Sequence, residues 1–393
     1  MRLPTALVHH GDRRTAVRIA LCALAFRLIS AVLAFFCNLA FPLDQREQFT
    51  VWGRTSPFWD AFARYDSGHY MMIARYGYSP VPGGRSNIAF FPVYPLLMRY
   101  VGRLFGRTPG DVYLGGIVVS WVCFILAMVA LYYLARLDLP RRGAECAALL
   151  TAIFPFSFFF GVVYSESTFL LFSVLAFYGL RTRRWVMGGV CGAIAIATRT
   201  PAIVMWPALA WTAWRSAEPT RRDQIAAAVA LLFTVSGFVA YSYYIYGLTG
   251  NPFEWAATLE RWGTGYHPGG AAWMAPALLL RRLFTHPYAY LTGDRMALYD
   301  TLYGISGLLF LAAVPFVWRR FGAAYGMYML ASLYVPLSSG VFEGMGRYCS
   351  VLFPWFLWLA LVRSRLVFTG IVALFALFYT FGLALFTSIH PIF

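Results

Sequence analysis

Lysine is absent from this chain of 393 residues: the 32 basic positions are all arginine, set against only 16 acids. The formal charge of +16 therefore resides in arginines, and these fall mainly between or beside apolar runs instead of in basic blocks. That placement argues against nucleic acid as a partner and matches the way a membrane protein flanks its helices. Charged residues make up 12% of the chain and apolar ones 60%, a balance that excludes an ordinary soluble globular protein. The six cysteines (Cys22, Cys37, Cys123, Cys146, Cys191, Cys349) stand singly in apolar stretches. With no C-x-x-C pair there is neither a disulfide framework nor a thiol metal site, so they read as packing or lipid-facing residues. Glycine-rich nucleotide motifs are missing, which removes ATP- and dinucleotide-dependent chemistries. No internal repeat stands out, against a transporter or flippase of the inverted-repeat type.

Apolar segments recur at 17–41, 112–135, 143–163, 168–180, 185–198, 200–214, 224–246, 298–318, 322–339, 347–362 and 366–388. They predict an all-α polytopic membrane protein of about eleven transmembrane helices, organised as a single transmembrane domain over 1–393. The first segment is too long for a signal-peptide core and is expected to stay attached. Arginines cluster at Arg13/Arg14/Arg18, Arg136/Arg141/Arg142, Arg181/Arg183/Arg184, Arg215/Arg221/Arg222, Arg319/Arg320 and Arg363/Arg365, at every second connection. The positive-inside rule puts these connections in the cytoplasm, as expected for a multi-pass protein of a bacterial-type plasma membrane. The first long loop, 42–111, and the second, 247–297, then face outward. The stretch 185–214 reads as two short helices turning near Thr198 to Pro201, because proline disfavours helical geometry at the residue before it and Arg199 suits a wet tip. Asn87 to Phe105, with Pro92, Pro95, Arg99 and Arg103, reads as an amphipathic helix in the outer interface. Arg27, midway along the first helix, faces the bundle interior or snorkels.

With so few acids, each one on the outer side carries weight. The densest polar segment runs from Trp59 to Tyr78. If helical from Asp66, it sets Asp66 and His69 on one face, with Tyr70 beside them. A carboxylate there can take a proton from a hydroxyl, and His69 can orient that carboxylate or the donor. The plainer reading is an interfacial helix whose aspartates are caps, Asp60 more so than Asp66. Two such ligands do not make a metal site. Three further tips fall on the same side: Tyr164-Ser165-Glu166-Ser167, Thr198-Arg199-Thr200 and Glu343-Gly344-Met345-Gly346-Arg347-Tyr348. Arginines facing a cavity suit a phosphate. Snorkelling, or an ion pair between Glu166 and Arg199, explains each arginine taken alone.

Asp66-x-x-His69-Tyr70 with Ile73-Ala74-x-x-Gly77-Tyr78, followed by Ala89-Phe90-Phe91-Pro92-Val93-Tyr94-Pro95-Leu96-Leu97, resembles the PIG-V-type mannosyltransferases of the glycosyltransferase-C superfamily. So do Phe154-Pro155-x-Ser157-x-Phe159-Phe160, Tyr164-Ser165-Glu166-Ser167 and Ala197-Thr198-Arg199, in family order over about residues 20–205, and Arg347-Tyr348 beyond. The family commonly has Trp where this chain has Tyr65, and Ser/Pro-Asn-Gly where it has Thr200-Pro201-Ala202. The resemblance implies transfer of a sugar, usually mannose, from a polyprenyl phosphate donor to a lipid or glycan acceptor on the extracytoplasmic side, with inversion. It places Asp66 as the catalytic base.

Such a donor is already activated. The protein then needs a base, cations for the leaving phosphate and a lipid-accessible groove for the prenyl chain. Asp66 fits the first, with His69 beside it. Arg199 or Arg347, with Tyr348, fits the second, and Tyr70, Tyr164 and Glu166 support them. No cofactor is required on this argument, and a divalent metal is optional. A polyprenyl-phosphate-dependent transferase of another sugar, or one acting on protein, is the nearest alternative; a non-catalytic scaffold leaves the polar outer site unexplained. The topology makes a direct prediction. A cysteine placed within 250–290 should react with an impermeant reagent in intact cells and one replacing Arg221 should not; the reverse pattern would overturn the orientation.

Overall fold

The computed structural model describes residues 10–44, 56–261, 277, 280–281, 284–285, 295–338, 342 and 344–392. Most of the second long loop, and Glu343 of the last outer tip, lie outside the described residues. Seventeen helices are followed here: α1 (His10–Ala40), α2 (Pro57–Asp60), α3 (Ser67–Tyr76), α4 (Val93–Gly102), α5 (Pro109–Ala135), α6 (Arg141–Ile153), α7 (Glu166–Arg181), α8 (Trp185–Ile196), α9 (Trp206–Ser216), α10 (Arg221–Thr234), α11 (Ser236–Thr249), α12 (Glu254–Leu259), α13 (Arg295–Phe321), α14 (Ala323–Leu337), α15 (Met345–Ser350), α16 (Phe353–Leu359) and α17 (Arg365–Thr387). No β-strand occurs among the described residues.

Five stretches among the described residues are long and apolar enough to cross a membrane: Asp12–Ala40, Pro109–Ala135, Arg221–Thr249, Thr301–Phe321 and Arg365–Thr387. The protein is therefore a multi-pass membrane protein. Large apolar side chains on the outer faces of these helices, such as Leu21, Ile29, Leu232, Leu366 and Leu377, are exposed, an arrangement suited to lipid and not to water. Helix α5 is central. It packs on α1, α4, α6 and α7, and α4 approaches it so closely that a Cβ at Gly115 would lie 2.4 Å from the backbone nitrogen of Gly102. Small residues at such crossings let helices pack without a hydrophobic driving force.

Helices cover all eleven predicted segments, although several are broken. The segment 143–163 stops being α-helical at Ile153, because Phe154 precedes Pro155 and takes an extended conformation (ψ 142°). A 3₁₀ turn, Ser157–Gly161, follows. The stretch 185–214 divides where expected: α8 ends at Ile196, Arg199 is extended (φ −141°, ψ 145°), and a 3₁₀ turn Thr200–Met205 leads into α9. Asn87 to Phe105 contains the short helix α4, as expected.

The arginine clusters are not bare. Arg136 pairs with Asp12, Arg181 with Asp138, Arg18 and Arg141 with Glu145, and Arg183 with Glu218. These pairs tie α1, the connection between α5 and α6, and the end of α7 to one another. Arg27 faces inward and is 1% exposed. Its guanidinium lies over the rings of Phe124 at 4.1 Å and Phe26 at 4.8 Å. Each such contact contributes about 2 kcal/mol when desolvated, against a penalty of several kcal/mol for burying an ion.

Asp60 is the clearest correction. It is not a solvated cap but is 2% exposed, and its Oδ2 accepts from Arg64 Nη1 at 2.8 Å. Arg64, 1% exposed, also donates to the carbonyls of Asp60, Ala63 and Thr387 and to Asn38 Oδ1, tying α2 to α1 and to the end of α17. Breaking a buried pair on one side leaves an uncompensated charge and costs about 3–5 kcal/mol. Asp60→Asn should therefore lower stability in detergent by that amount, measured by unfolding; a variant of native stability would show that the pair holds nothing.

Candidate active site

Helix α3 opens at Asp66, whose backbone is helical (φ −55°, ψ −22°) and whose carboxylate makes no capping hydrogen bond. The side chain is thus free to turn inward, where Oδ2 accepts from Arg347 Nη1 at 2.5 Å. The turn that aims it is strained: Tyr65 has φ +49°, a left-handed conformation costly for a bulky side chain and found where the surroundings enforce it. Those surroundings are visible. The Tyr65 hydroxyl donates to the carbonyl of His390, and its ring meets Phe386 edge-on. Ser67 Oγ accepts from Arg64 N at 3.1 Å and donates to the Val163 carbonyl at 3.0 Å, while Val163 N returns a bond to Phe62 O at 2.9 Å. The Asp66 segment is so docked on the Tyr164 segment, and Tyr70 Oη adds a hydrogen bond to Ser165 Oγ at 3.0 Å.

Glu166, the first residue of α7, is 1% exposed. Its Oε1 lies 3.2 Å from Arg199 Nη1 and 3.4 Å from Arg347 Nε. Arg199 stands at the break after α8 and faces the ring of Tyr348 at 5.0 Å. Arg347 on α15 lies over Tyr164 at 5.2 Å and Phe159 at 5.7 Å. Four groups from distant parts of the chain thus form one line of alternating charge: Asp66, Arg347, Glu166, Arg199. The pairing of Glu166 with Arg199 noted in the sequence is present. Arg347, for which the sequence showed no partner, is paired as well, with Asp66 and Glu166. Hydrogen-bonding capacity is left over: Glu166 Oε2, Tyr164 Oη, Arg199 Nη1 and Arg347 Nε are buried without a hydrogen-bond partner.

His69 lies one turn beyond Asp66 and stacks on Phe90, centroids 4.8 Å apart and planes 15° from parallel. Burial lowers its pKa, and the nearby Asp66 carboxylate opposes part of the shift. Tyr70 is held neutral, its pKa raised chiefly by burial and further by Glu166 and Asp66. The sites expected from the sequence therefore converge, with Tyr348 and Tyr164 as the arginines' aromatic faces. Sequence reasoning passed over Tyr65, Ser67 and Ser165 as positioning groups, and the Asp60–Arg64 pair. Only the pair left a trace, opposite charges at i,i+4 spacing.

Residues 91–244 match the family model described as Dolichyl-phosphate-mannose-protein mannosyltransferase. GPI alpha-1,6-mannosyltransferase 2 of Mus musculus is 30% identical over 196 residues, which are 45% of this chain and 38% of that protein. Its Rattus norvegicus counterpart is 28% identical over 200 residues, 46% and 39% respectively. The chain thus matches well under half the length of these curated relatives. Among solved structures, ArnT from Cupriavidus metallidurans, bound to undecaprenyl phosphate, superposes with a TM-score of 0.52 at 13% identity, covering 94% of this chain and 76% of that one. The oligosaccharyltransferase of Archaeoglobus fulgidus does so with a TM-score of 0.50 at 14% identity, covering 94% and 56%. The fold is the one shared with these two membrane proteins. The resemblance to the PIG-V-type mannosyltransferases is supported by these relatives over 45–46% of the chain.

The depressed pKa of His69 makes a prediction of defined sign. A histidine whose folded pKa lies below its ordinary 6.5 contributes no penalty above that pH and destabilises the fold as pH falls from 6.5 through the folded value. Stability should thus decline on acidification across that window, and His69→Gln should flatten the slope. An unchanged slope would remove His69 as its source.

Proposed function

We propose that this protein is a glycosyltransferase that moves a sugar, mannose by its relatives' names, from a polyprenyl phosphate to a lipid or glycan acceptor. The site is assigned to the extracytoplasmic face of a plasma membrane, and the anomeric carbon is inverted. The observation that carries the reading is the juxtaposition of an acid able to serve as base with two arginines able to hold a phosphate, bridged by a buried glutamate.

In the proposed reaction Asp66 takes the proton of the acceptor hydroxyl, whose oxygen bonds to the anomeric carbon as the bond from that carbon to the phosphate oxygen breaks. The electron pair leaves with the polyprenyl phosphate. Arg347 and Arg199 stabilise the charge gathering there, Arg347 through a planar fork that can face two oxygens at once. Glu166 keeps both guanidinium groups in place when no phosphate is bound. Asp66 and an incoming phosphate compete for Arg347, so donor binding loosens the Asp66 contact and leaves the carboxylate available as base. His69, neutral and stacked, orients Asp66 or the sugar and does not compete for its proton.

An apolar cavity supports the lipid part of the reading, as a groove for the prenyl chain. This cavity, of about 150 Å³, opens between α13 and α17, lined by Phe154, Phe156, Leu309, Trp355 and Phe375 among others. It adjoins the helix that carries Arg347, since Gly346 sits against the Phe156 ring. The name of the matching family model favours a protein acceptor as a second reading, and an acceptor panel of glycolipids and peptides with labelled polyprenyl-phosphate mannose separates the two.

Three variants test the roles. A general base contributes about 10²- to 10⁴-fold, so Asp66→Asn should lower turnover by that factor while the folded protein binds donor as well as before or better, its competitor for Arg347 being gone. Arg347→Gln and Arg199→Gln should instead raise the donor KM. Thermal stability in detergent, recorded beside turnover, separates lost chemistry from lost folding. Near-native turnover of folded Asp66→Asn would remove that residue from the reaction.

A further inference from the structure

Arg64, Arg199 and Arg347 each face a carboxylate in the interior. Arg27 does not. In the middle of α1, 1% exposed, it is flanked by ring faces and by the neutral Tyr379 hydroxyl, and none of its three nitrogens makes a hydrogen bond of full geometry. Ring faces can offset part of the charge, but guanidinium N–H groups lie in the guanidinium plane and point past the faces stacked against it. The Tyr379 oxygen can accept one N–H but brings no charge, so no counter-ion is supplied by the residues around it.

The surroundings leave room for one. A small cavity beside the guanidinium, bounded by Ala31, Phe62, Trp121, Phe158, Gly161 and Tyr379 among others, admits about one water-sized particle. Gly161 makes that room, for a Cβ there would stand 2.5 Å from Arg27 Nη1. No carboxylate lines the cavity. The neighbouring polar hydrogens are already used: Tyr379 Oη shares a hydrogen bond of 2.9 Å with Ser30 Oγ, Ser30 Oγ donates to the Phe26 carbonyl at 2.7 Å, and Trp121 Nε1 donates to the Gly161 carbonyl at 2.9 Å. The N–H groups of Arg27 are the donors left for a guest.

We propose that Arg27 and this cavity form a binding site for one halide-sized monovalent anion, chloride in ordinary media. A water molecule accepts hydrogen bonds but leaves the cation uncompensated, whereas charges in a membrane interior occur paired. A larger oxyanion does not fit the space. The site lies apart from Asp66 and takes no part in the proposed reaction; the 3₁₀ turn Ser157–Gly161 links the two, with Gly161 beside Arg27 and Phe159 beside Arg347.

The test uses the whole protein in detergent, exchanged into gluconate and titrated with chloride or bromide at constant ionic strength. The thermal midpoint should rise saturably with either halide, as expected for a ligand that binds only the folded state, and Arg27→Gln should abolish the rise. Crystals of the unsubstituted protein soaked in bromide should give an anomalous peak within hydrogen-bonding distance of the Arg27 guanidinium, a readout that does not depend on the variant folding. A midpoint indifferent to halide with no peak at Arg27 would mean that the cavity holds water only. A halide effect that survives in Arg27→Gln, or a bromide peak elsewhere alone, would equally overturn the proposal.

Discussion

The line of charge from Asp66 through Arg347 and Glu166 to Arg199 is the interaction on which the rest of the bundle depends. In a chain so apolar a buried ion is costly, and Glu166 and Arg199, the two most buried of the four, are tolerated because their neighbours carry the opposite sign. They come from the first loop, the start of α7, the break after α8 and α15. The ends of distant elements are thereby drawn to one point. Loss of any one would strand its neighbours, so the same residues hold the fold together at this end and form the proposed site.

A second pair works on the segment that carries the acid. Arg64 binds α1, α2 and the last turn of α17 at once, and the strained Tyr65 is held from the C-terminal side by His390 and Phe386. Strain of this kind persists only where tertiary contacts over-determine it. Asp66 therefore owes its aim to residues more than three hundred positions away, although its helix is local.

Much of this was legible in the sequence because lipid imposes simple rules. Arginine clusters at alternate connections placed Glu166, Arg199 and Arg347 on one side, and the convergence of those tips follows. Pro201 marked the break after α8, for a local steric reason that no packing overrides. What the chain did not disclose depends on partners distant in sequence. Asp60 has the composition of a cap; only burial against Arg64, with Asn38 and Thr387 completing the arginine's bonds, makes it a core ion pair. Arg347 looked like a free tip cation because its two carboxylates lie far upstream. The apolar segments 143–163 and 347–362 read as spans by length, whereas proline geometry at Pro155 and Pro354 divides each into shorter pieces.

The exclusive use of arginine bears on how such a site can work. An ammonium is a compact, strongly hydrated charge that adapts poorly to bridging; a guanidinium presents its donors in a planar fork and is less costly to desolvate. Arg347 uses that fork now, with Nη1 on Asp66 and Nε beside Glu166. The same shape can meet one carboxylate and one phosphate oxygen, so exchanging Asp66 for a donor phosphate requires no new cation and no large movement of α15. Glu166 Oε2 and Tyr164 Oη, orphaned, belong to residues that flank Arg347. Buried polar atoms without partners are costly, and a polar ligand that satisfied them would draw part of its affinity from removing that cost.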